Sequence, residues 1–105
     1  MAEEIRVLLV KPGEKPKLAT VEHTLENLQK LVGGYIEAVY PWDDPVGLVC
    51  DEDGIANGKA LNRALLDEGG NPYDIIKGTF FICGLGEEDF CSISDEMAEK
   101  YAERF

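Results

Sequence analysis

The sequence is poor in the residues that build metal sites. It contains one histidine, His23, and three cysteines, Cys50, Cys83 and Cys91, which form no CxxC pair. A structural zinc site takes its ligands from several Cys or His side chains at close spacing. We therefore predict no metal site and no cofactor. Cys50 and Cys83 lie within apolar runs and are expected to be buried and reduced.

Basic residues are also scarce. Ten lysines and arginines stand against 21 acidic residues, which gives a formal net charge of -11. Such a charge repels nucleic acids and anionic membranes and attracts basic surfaces. We therefore expect no direct contact with nucleic acid or membrane. The charge either maintains solubility or imitates a nucleic-acid backbone that occupies the basic groove of a partner protein.

Long apolar runs are missing as well. The longest run near the N-terminus, Val7 to Val10, is far shorter than a signal peptide core or a membrane span. The composition, 45% hydrophobic and 30% charged over 105 residues, is typical of a globular protein. The sequence therefore predicts one cytoplasmic domain spanning residues 1–105.

Hydrophobic patterning predicts the α+β class. Strands are expected in the segments IRVLLV, KLATVE, YIEAVY, VGLVC and DIIKGTFFICG, of which the last has the apolar density of a central strand. Helices are expected in EHTLENLQKLVGG and SISDEMAEKYAERF. Strands joined in hairpins and interrupted by two helices predict a mainly antiparallel sheet of about five strands.

Both predicted helices carry end signals. Thr24 and Ser94 are suited to N-caps, because their hydroxyls can accept a hydrogen bond from the first turn. Gly33 supplies the left-handed residue that ends the first helix. The apolar stripes are Leu25, Leu28, Leu31 and Val32 in the first helix, and Met97, Tyr101 and Phe105 in the second.

The stretch DEDGIANGKALNRALL, which begins at Asp51, is the densest in polar groups. A calcium loop of the EF-hand type needs glycine at its sixth position and glutamate at its twelfth, where this stretch has Ala56 and Asn62. GIANGK also lacks the spacing of a phosphate-binding loop. The dipeptides DG and NG instead predict successive tight turns with positive φ.

Polar residues around this stretch are candidates for a small-ligand site. The candidates are Gly34, Tyr35, Asn57, Lys59, Asn62 and Arg63. Arg63 is the best of them, because a guanidinium can hold a carboxylate or phosphate through two hydrogen bonds. The alternative is that Asn62 caps a short helical turn through ALLDE while Arg63 pairs with one of the many acids.

Acidic clusters are the candidates for partner binding, and no residue is a convincing catalyst. The clusters are Asp51, Glu52 and Asp53, and Glu87, Glu88 and Asp89. His23 has no nucleophile near it in the sequence, and Ser92 and Ser94 are explained by helix capping. We therefore assign no catalytic residues. An enzyme that uses clustered carboxylates with a divalent ion is the least favoured hypothesis.

The order of several motifs resembles a known family. IRVLLV, LQKLVGGYIEAV, NGKALNRAL, DIIKGTFFICG and DFCSISDEMAEKY occur in this order over nearly the whole chain. They resemble a small family of bacteria, phages and plasmids that is known only as a domain of unknown function. The resemblance implies no activity or catalytic residue. It implies a mobile-element context, in which small proteins often act on host machinery by binding.

These observations favour a non-enzymatic acidic binding protein of phage or mobile-element type. Its expected partner is a host protein with a basic surface, such as a defence protein or a nucleic-acid-binding protein. The alternative is a protein that binds or sequesters a nucleotide or another small anion. A homodimer is a further possibility, formed through an apolar edge at FFICG and exposed aromatic residues near Tyr40 and Trp42.

Overall fold

The structure, a computed structural model, describes residues 3–54, 56–87 and 89–105. Its elements are β1 (Glu4–Val10), β2 (Lys17–Glu22), α1 (Leu25–Val32), β3 (Ile36–Val39), β4 (Val46–Asp51), β5 (Leu61–Leu66), β6 (Pro72–Lys77), β7 (Phe80–Leu85), β8 (Phe90–Cys91) and α2 (Asp95–Arg104). The predicted α+β class with two helices is confirmed. The described residues form eight strands, which is more than the sequence pattern predicted.

Six strands form one antiparallel sheet. Five of them lie in the order β2-β1-β7-β4-β3, and the short strand β8 pairs with β7. Strand β7 lies between β1 and β4 and is buried from Phe80 to Gly84, as its apolar sequence predicts. FFICG is therefore the centre of the sheet. The residues of FFICG are used in core packing, and they do not form the apolar edge that the homodimer alternative requires.

The remaining two strands, β5 and β6, pair with each other as a separate hairpin. We expected DIIKGTFFICG to form one strand, but Gly78, with φ 83°, divides it into β6 and β7. We also considered a helical turn through ALLDE. That alternative is wrong, because Asn62 to Leu66 lie in strand β5. Tertiary packing decides such short apolar runs, which local pattern leaves ambiguous.

The sheet is covered on both faces. Successive side chains of a strand point to opposite faces, so Val7 and Leu9 of β1 enter one core cluster while Leu8 and Val10 enter the other. Helix α1 packs into the first cluster through Leu28 and Val32; helix α2 and the hairpin β5–β6 pack into the second. The hairpin therefore lies over the same face of the sheet as α2.

The helix ends follow the sequence signals. The Thr24 hydroxyl accepts from the backbone N–H of Asn27 at 3.2 Å, and Gly33 ends α1 with φ 78°. The Ser94 hydroxyl caps α2 in the same way. Leu25 departs from the predicted stripe, because its side chain is 61% exposed. The stripe of α1 therefore begins at Leu28.

Helix α2 packs against the segment between β3 and β4 and forms hydrogen bonds with it. The ring of buried Tyr101 lies 4.4 Å from the ring of Trp42, measured between centroids. The Tyr101 hydroxyl donates to Asp44 Oδ2 at 2.6 Å, and Lys100 Nζ donates to the same oxygen at 2.5 Å. Trp42 is therefore used within the chain. Of the two aromatic residues proposed for a homodimer, Tyr40 remains exposed.

Candidate functional site

The first residue of the polar stretch, Asp51, is buried and ion-paired. Its side chain has no exposed surface, and its Oδ2 lies 2.5 Å from Lys59 Nζ. The carboxylate also accepts from the backbone N–H of Asp53 at 2.9 Å and from Asn57 Nδ2 at 3.1 Å. These bonds hold the turns after β4, because a short Asx side chain folds the backbone back on itself. Gly58 has the predicted positive φ, 67°, but Gly54 does not.

Lys59 connects this turn to helix α1. Its Nζ donates to the carbonyl oxygens of Val32 at 2.6 Å and Gly33 at 2.9 Å. The C-terminal carbonyls of a helix have no partner within the helix, and a cation there is favoured by the helix dipole. An ammonium has three donors, and Asp51, Val32 and Gly33 accept all of them. Lys59 therefore has no donor left for a ligand.

Glycines allow the ion pair to fit. A Cβ on Gly34 would lie 2.6 Å from Asp51 Oδ1, and a Cβ on Gly78 would lie 2.7 Å from the Lys59 side chain. Separations this short cannot be accommodated without a shift of the neighbouring atoms. We call this arrangement of Gly33, Gly34, Asp51, Lys59 and Gly78 the junction. It joins α1, β4 and the hairpin β5–β6.

Two opposing effects set the pKa of Asp51. Burial alone would raise it, because burial disfavours the charged form. Hydrogen bonds from Lys59, from the Asp53 backbone and from Asn57 outweigh burial and hold the pKa of Asp51 below its usual value. The carboxylate is therefore ionised at neutral pH. It stabilises the turn and is out of reach of a partner.

A cleft lies directly beside the junction, between the β3 edge of the sheet and the hairpin. Its volume is about 380 Å³. The lining residues are Glu37, Val39, Cys50, Asp51, Glu52, Asp53, Gly54, Ala56, Asp74, Ile75, Ile76 and Lys77. Val39, Cys50 and Ile76 give it an apolar floor. The surrounding polar residues are mostly acidic, and we call this space the acidic cleft.

Four carboxylates of the acidic cleft keep their charge uncompensated. They belong to Glu37, Glu52, Asp53 and Asp74, which are exposed. Among the described residues, no cationic side chain lies within 4.0 Å of any of them. Lys77 is the one base in the lining. The acidic cleft therefore has the charge and the floor to receive a group that is both cationic and partly apolar.

The thiol in the cleft floor is not a nucleophile at neutral pH. Burial, followed by the charges of Glu37, Asp51 and Asp74, raises the pKa of Cys50 to about 11. A thiol reacts as its thiolate, so a raised pKa keeps it inert. Cys50 and Cys83 are buried, as predicted, and Cys91 is exposed; all three are free thiols. Cys50 therefore serves as a small apolar residue of the floor.

The two acidic clusters that we proposed for partner binding do not form one face. Strands β4 and β7 run antiparallel, with Val46 opposite Gly84. The turns that follow these strands therefore lie at opposite ends of the sheet. Glu87 and Asp89 are exposed in the turn after β7, while Glu88 lies outside the described residues. Glu52 and Asp53 line the acidic cleft at the other end.

Three of the proposed ligand-binding residues meet in one groove. Gly34, Tyr35 and Asn57 line a groove of about 530 Å³ at the end of α1. The groove contains one base, Lys30, and the acids Glu26 and Asp53, together with Gln29 and Gly33. Lys59 does not line it. The structure therefore brings part of the proposed set together, without the positive charge that an anion would need.

Asn62 and Arg63 lie elsewhere and are bound to the backbone. Asn62 Nδ2 donates to the carbonyl oxygens of Val10 and Gly78, both at 2.9 Å. Arg63 donates to the carbonyls of Phe105 at 3.2 Å, Glu14 at 2.7 Å and Asn62 at 3.0 Å, and also to Asn62 Oδ1. These bonds attach the hairpin to β1 and to the end of α2. The alternative that Arg63 pairs with an acid is not met among the described residues, where its acceptors are these backbone oxygens and Asn62 Oδ1.

Sequence reasoning missed two residues of the acidic cleft, Glu37 and Asp74. Glu37 is the one charged residue of YIEAVY, and Asp74 is one of the two charged residues that flank the isoleucines of DIIK. Alternation shows that such a residue points away from one face, but it does not show that β6 returns to the edge of β3. The convergence depends on the position of the hairpin. A local pattern carries no signal for it.

No helix in the described part of the chain combines the length and the apolar character that a bilayer crossing requires. Within residues 3–54, 56–87 and 89–105, no group of three or more His, Cys, Asp or Glu side chains is placed to hold a metal ion.

Comparisons with known proteins give the family and nothing on activity. Neither the curated proteins nor the solved structures contain a match to this chain. The family described as a domain of unknown function, DUF3846, matches residues 5–105, which is almost the entire chain. The match spans every element from β1 to α2. The chain therefore belongs to the DUF3846 family.

Proposed function

We propose that this chain is a non-enzymatic binding protein that engages a basic segment of a partner protein through the acidic cleft. The observation that supports the proposal is the set of four uncompensated carboxylates around an apolar floor. The like charges that line this cleft repel one another. A cationic partner would relieve that repulsion, and lysine or arginine stems would cover the floor.

The partner that fits this charge is a protein that itself binds nucleic acid, because such proteins carry basic, exposed segments. The resemblance to a family of phages and plasmids supports a host protein, such as a defence protein, as the target. The three free thiols are consistent with action in the reducing cytoplasm. Binding would occupy the basic segment and keep it from nucleic acid.

The test is direct binding of a basic probe, followed by fluorescence anisotropy. We define the KV peptide as a fluorescein-labelled peptide of about eight residues in which Lys and Val alternate. We expect binding at about 20 mM salt that weakens at least about tenfold at about 500 mM, because salt screens the attraction. No binding at low salt would overturn the proposal.

Two charge variants separate binding by the acidic cleft from a general attraction by the net charge of the protein. The cleft variant combines Glu37→Gln, Glu52→Gln and Asp74→Asn; the control variant combines the exposed changes Glu14→Gln, Glu99→Gln and Glu103→Gln. Both remove three negative charges. We expect the cleft variant to bind the KV peptide at least about tenfold more weakly and the control variant to stay within about twofold of the parent. Equal losses would assign binding to net charge alone.

A second candidate function is small-ligand binding in the groove at the end of α1. It is supported by the convergence of Gly34, Tyr35 and Asn57 and by the exposed ring of Tyr35, which a nucleobase could stack on. A ligand at about 100 times its dissociation constant should stabilise the fold by about 2.7 kcal/mol. Because the groove has no excess of positive charge, thermal unfolding across a panel of nucleobases and uncharged nucleosides tests this, with Tyr35→Ala as the variant that should lose the stabilisation.

A further inference from the structure

The strand that borders the acidic cleft presents its edge to it. Four consecutive residues of β6, Asp74 to Lys77, line the cleft. Successive side chains point to opposite faces, so one face of a strand contributes only alternate residues, as β3 does through Glu37 and Val39. Consecutive lining residues, on a strand whose other edge is bound to β5, indicate that the remaining backbone edge of β6 faces the cleft. Among the described residues, β6 pairs only with β5.

Hydrogen bonds show which part of this edge is open. The backbone N–H of Ile75 donates to Asp74 Oδ1 at 2.8 Å. A side chain therefore satisfies this amide. At the other end, the Lys77 carbonyl oxygen lies 2.8 Å from the place where Gly54 would carry a Cβ. The turn after β4 thus closes the edge at Lys77, and the edge is accessible at Ile75.

The side chains next to the open edge are apolar. Ile75 is 40% exposed, and Tyr73 of the same strand is 55% exposed. Ile76 and Cys50 lie in the floor of the cleft. An exposed strand edge with apolar neighbours is a site where a further strand can pair. Proteins protect such edges with charged side chains, and the Asp74 carboxylate covers this one.

We propose that the partner segment binds in an extended conformation and pairs with the edge of β6 as an added strand. This inference rests on the proposed function and specifies how the acidic cleft is used. A carbonyl oxygen of the segment replaces Asp74 Oδ1 as the acceptor of the Ile75 N–H. The released Asp74 carboxylate then pairs with a cationic side chain of the segment. Alternate side chains of the segment reach the floor and the acids.

The occupant is therefore a basic, extended protein segment with apolar residues between its basic ones. Charge complementarity argues for it, because the cleft has four uncompensated carboxylates and one lysine. A helix would satisfy its own backbone and leave the Ile75 amide to Asp74. A free cation or polyamine would pair with the acids but would offer no carbonyl to the strand edge.

The first test compares the KV peptide with the same peptide methylated at alternate backbone nitrogens. Methylation keeps the charges and removes the donors that strand pairing needs. Alternate nitrogens form two sets, of which one faces β6 in a paired strand. We expect the peptide methylated at the nitrogens that face β6 to bind at least about tenfold more weakly. Equal binding of both methylated registers and the parent would overturn strand addition while leaving the acidic cleft as the binding site. Failure of the parent peptide to bind at low salt would instead overturn the proposed function.

Amide hydrogen exchange provides a readout on the protein itself. The Ile75 amide is predicted to exchange at least about tenfold more slowly when the KV peptide is bound, because a backbone carbonyl replaces a mobile side-chain acceptor. Amides in β2, an edge strand on the far side of the sheet, serve as the control. Unchanged exchange at Ile75 in the saturated complex contradicts the proposal.

Two substitutions of Asp74 separate the effect of its charge from the effect of its hydrogen bond with the Ile75 amide at the edge of β6. Asp74→Asn removes the charge and keeps the oxygen that accepts from Ile75, whereas Asp74→Ala removes both. We expect Asp74→Ala to bind the KV peptide about threefold more tightly than Asp74→Asn, because its edge is already free. If Asp74→Asn binds as tightly or more tightly, the carboxylate does not cover a pairing site.

Discussion

The junction and the acidic cleft are neighbours built partly from the same turn, and they use the same chemical group in opposite ways. At the junction, the Asp51 carboxylate is buried and bound by Lys59 and by amide groups. In the cleft, Glu52 and Asp53 follow directly in the chain but are exposed, and no cationic side chain in the described part of the chain lies within 4.0 Å of either carboxylate. One carboxylate stabilises the fold, and the others are free for a partner. The difference lies in burial and in the partners supplied by distant segments.

Removing the cation of the junction should cause the largest loss of stability. Lys59→Met leaves the Asp51 carboxylate buried without its counter-ion and frees the carbonyls at the end of α1. We expect the free energy of unfolding to fall by about 3 kcal/mol. Urea denaturation measures this. Lys30→Met is the control, because Lys30 forms an exposed ion pair with Glu26 and should change stability by less than about 0.5 kcal/mol. Equal effects would show that the junction is no stronger than a surface pair.

The space at the junction can be tested through two glycines. Gly34 has no positive φ, and a Cβ there would lie 2.6 Å from Asp51; Gly58 has φ 67° and nothing within 4 Å of its Cβ position. We expect Gly34→Ala to cost about 2 to 3 kcal/mol through the clash and Gly58→Ala about 1 kcal/mol through its backbone conformation. Thermal unfolding compares them. A smaller loss for Gly34→Ala would mean that the ion pair has room to move.

Acid should weaken the junction. The pKa of Asp51 is lower in the folded chain than in the unfolded chain, so the unfolded chain takes up the proton first as the pH falls. The stability that Asp51 contributes is therefore present above its unfolded pKa, near 4, and is lost as the pH falls through the folded pKa. We expect the difference in unfolding free energy between the parent and Asp51→Asn to shrink between about pH 6 and about pH 3. A constant difference would mean that Asp51 is not an ionised partner of Lys59.

The smallest effect is expected in the cleft. Glu37→Gln and Glu52→Gln each remove a charge that forms no ion pair with the residues that the structure describes, so the free energy of unfolding should change by less than about 0.5 kcal/mol. A gain in stability would fit the relief of repulsion among the remaining acids. Urea denaturation at low salt measures the free energy of unfolding of both variants. A loss above about 1 kcal/mol in either would place that residue with the junction.

Local signals account for part of this structure. The caps at Thr24 and Ser94, the stop at Gly33 and the buried strand FFICG act within one element, and the sequence predicts them. Strand β5 and the burial of Asp51 depend on contacts with Lys59, Val10 and other residues far along the chain. The acidic cleft depends on where the hairpin lies, which no pattern within DEDGIANGKALNRALL expresses. Glu52 and Asp53 could therefore be proposed for partner binding from the sequence, but their convergence with Glu37 and Asp74 could not.

The hydrogen bonds of Asn62 have a consequence for how this sequence can change. Its side-chain nitrogen donates to two carbonyl oxygens, those of Val10 and Gly78. Aspartate has nearly the same shape, but it would present an oxygen to both carbonyls and replace two attractions with two repulsions. An acid at an exposed position of this chain meets water, whereas an acid at position 62 would meet two carbonyl oxygens. Position 62 therefore requires a side chain that donates hydrogen bonds, which an acid cannot do in its ionised form.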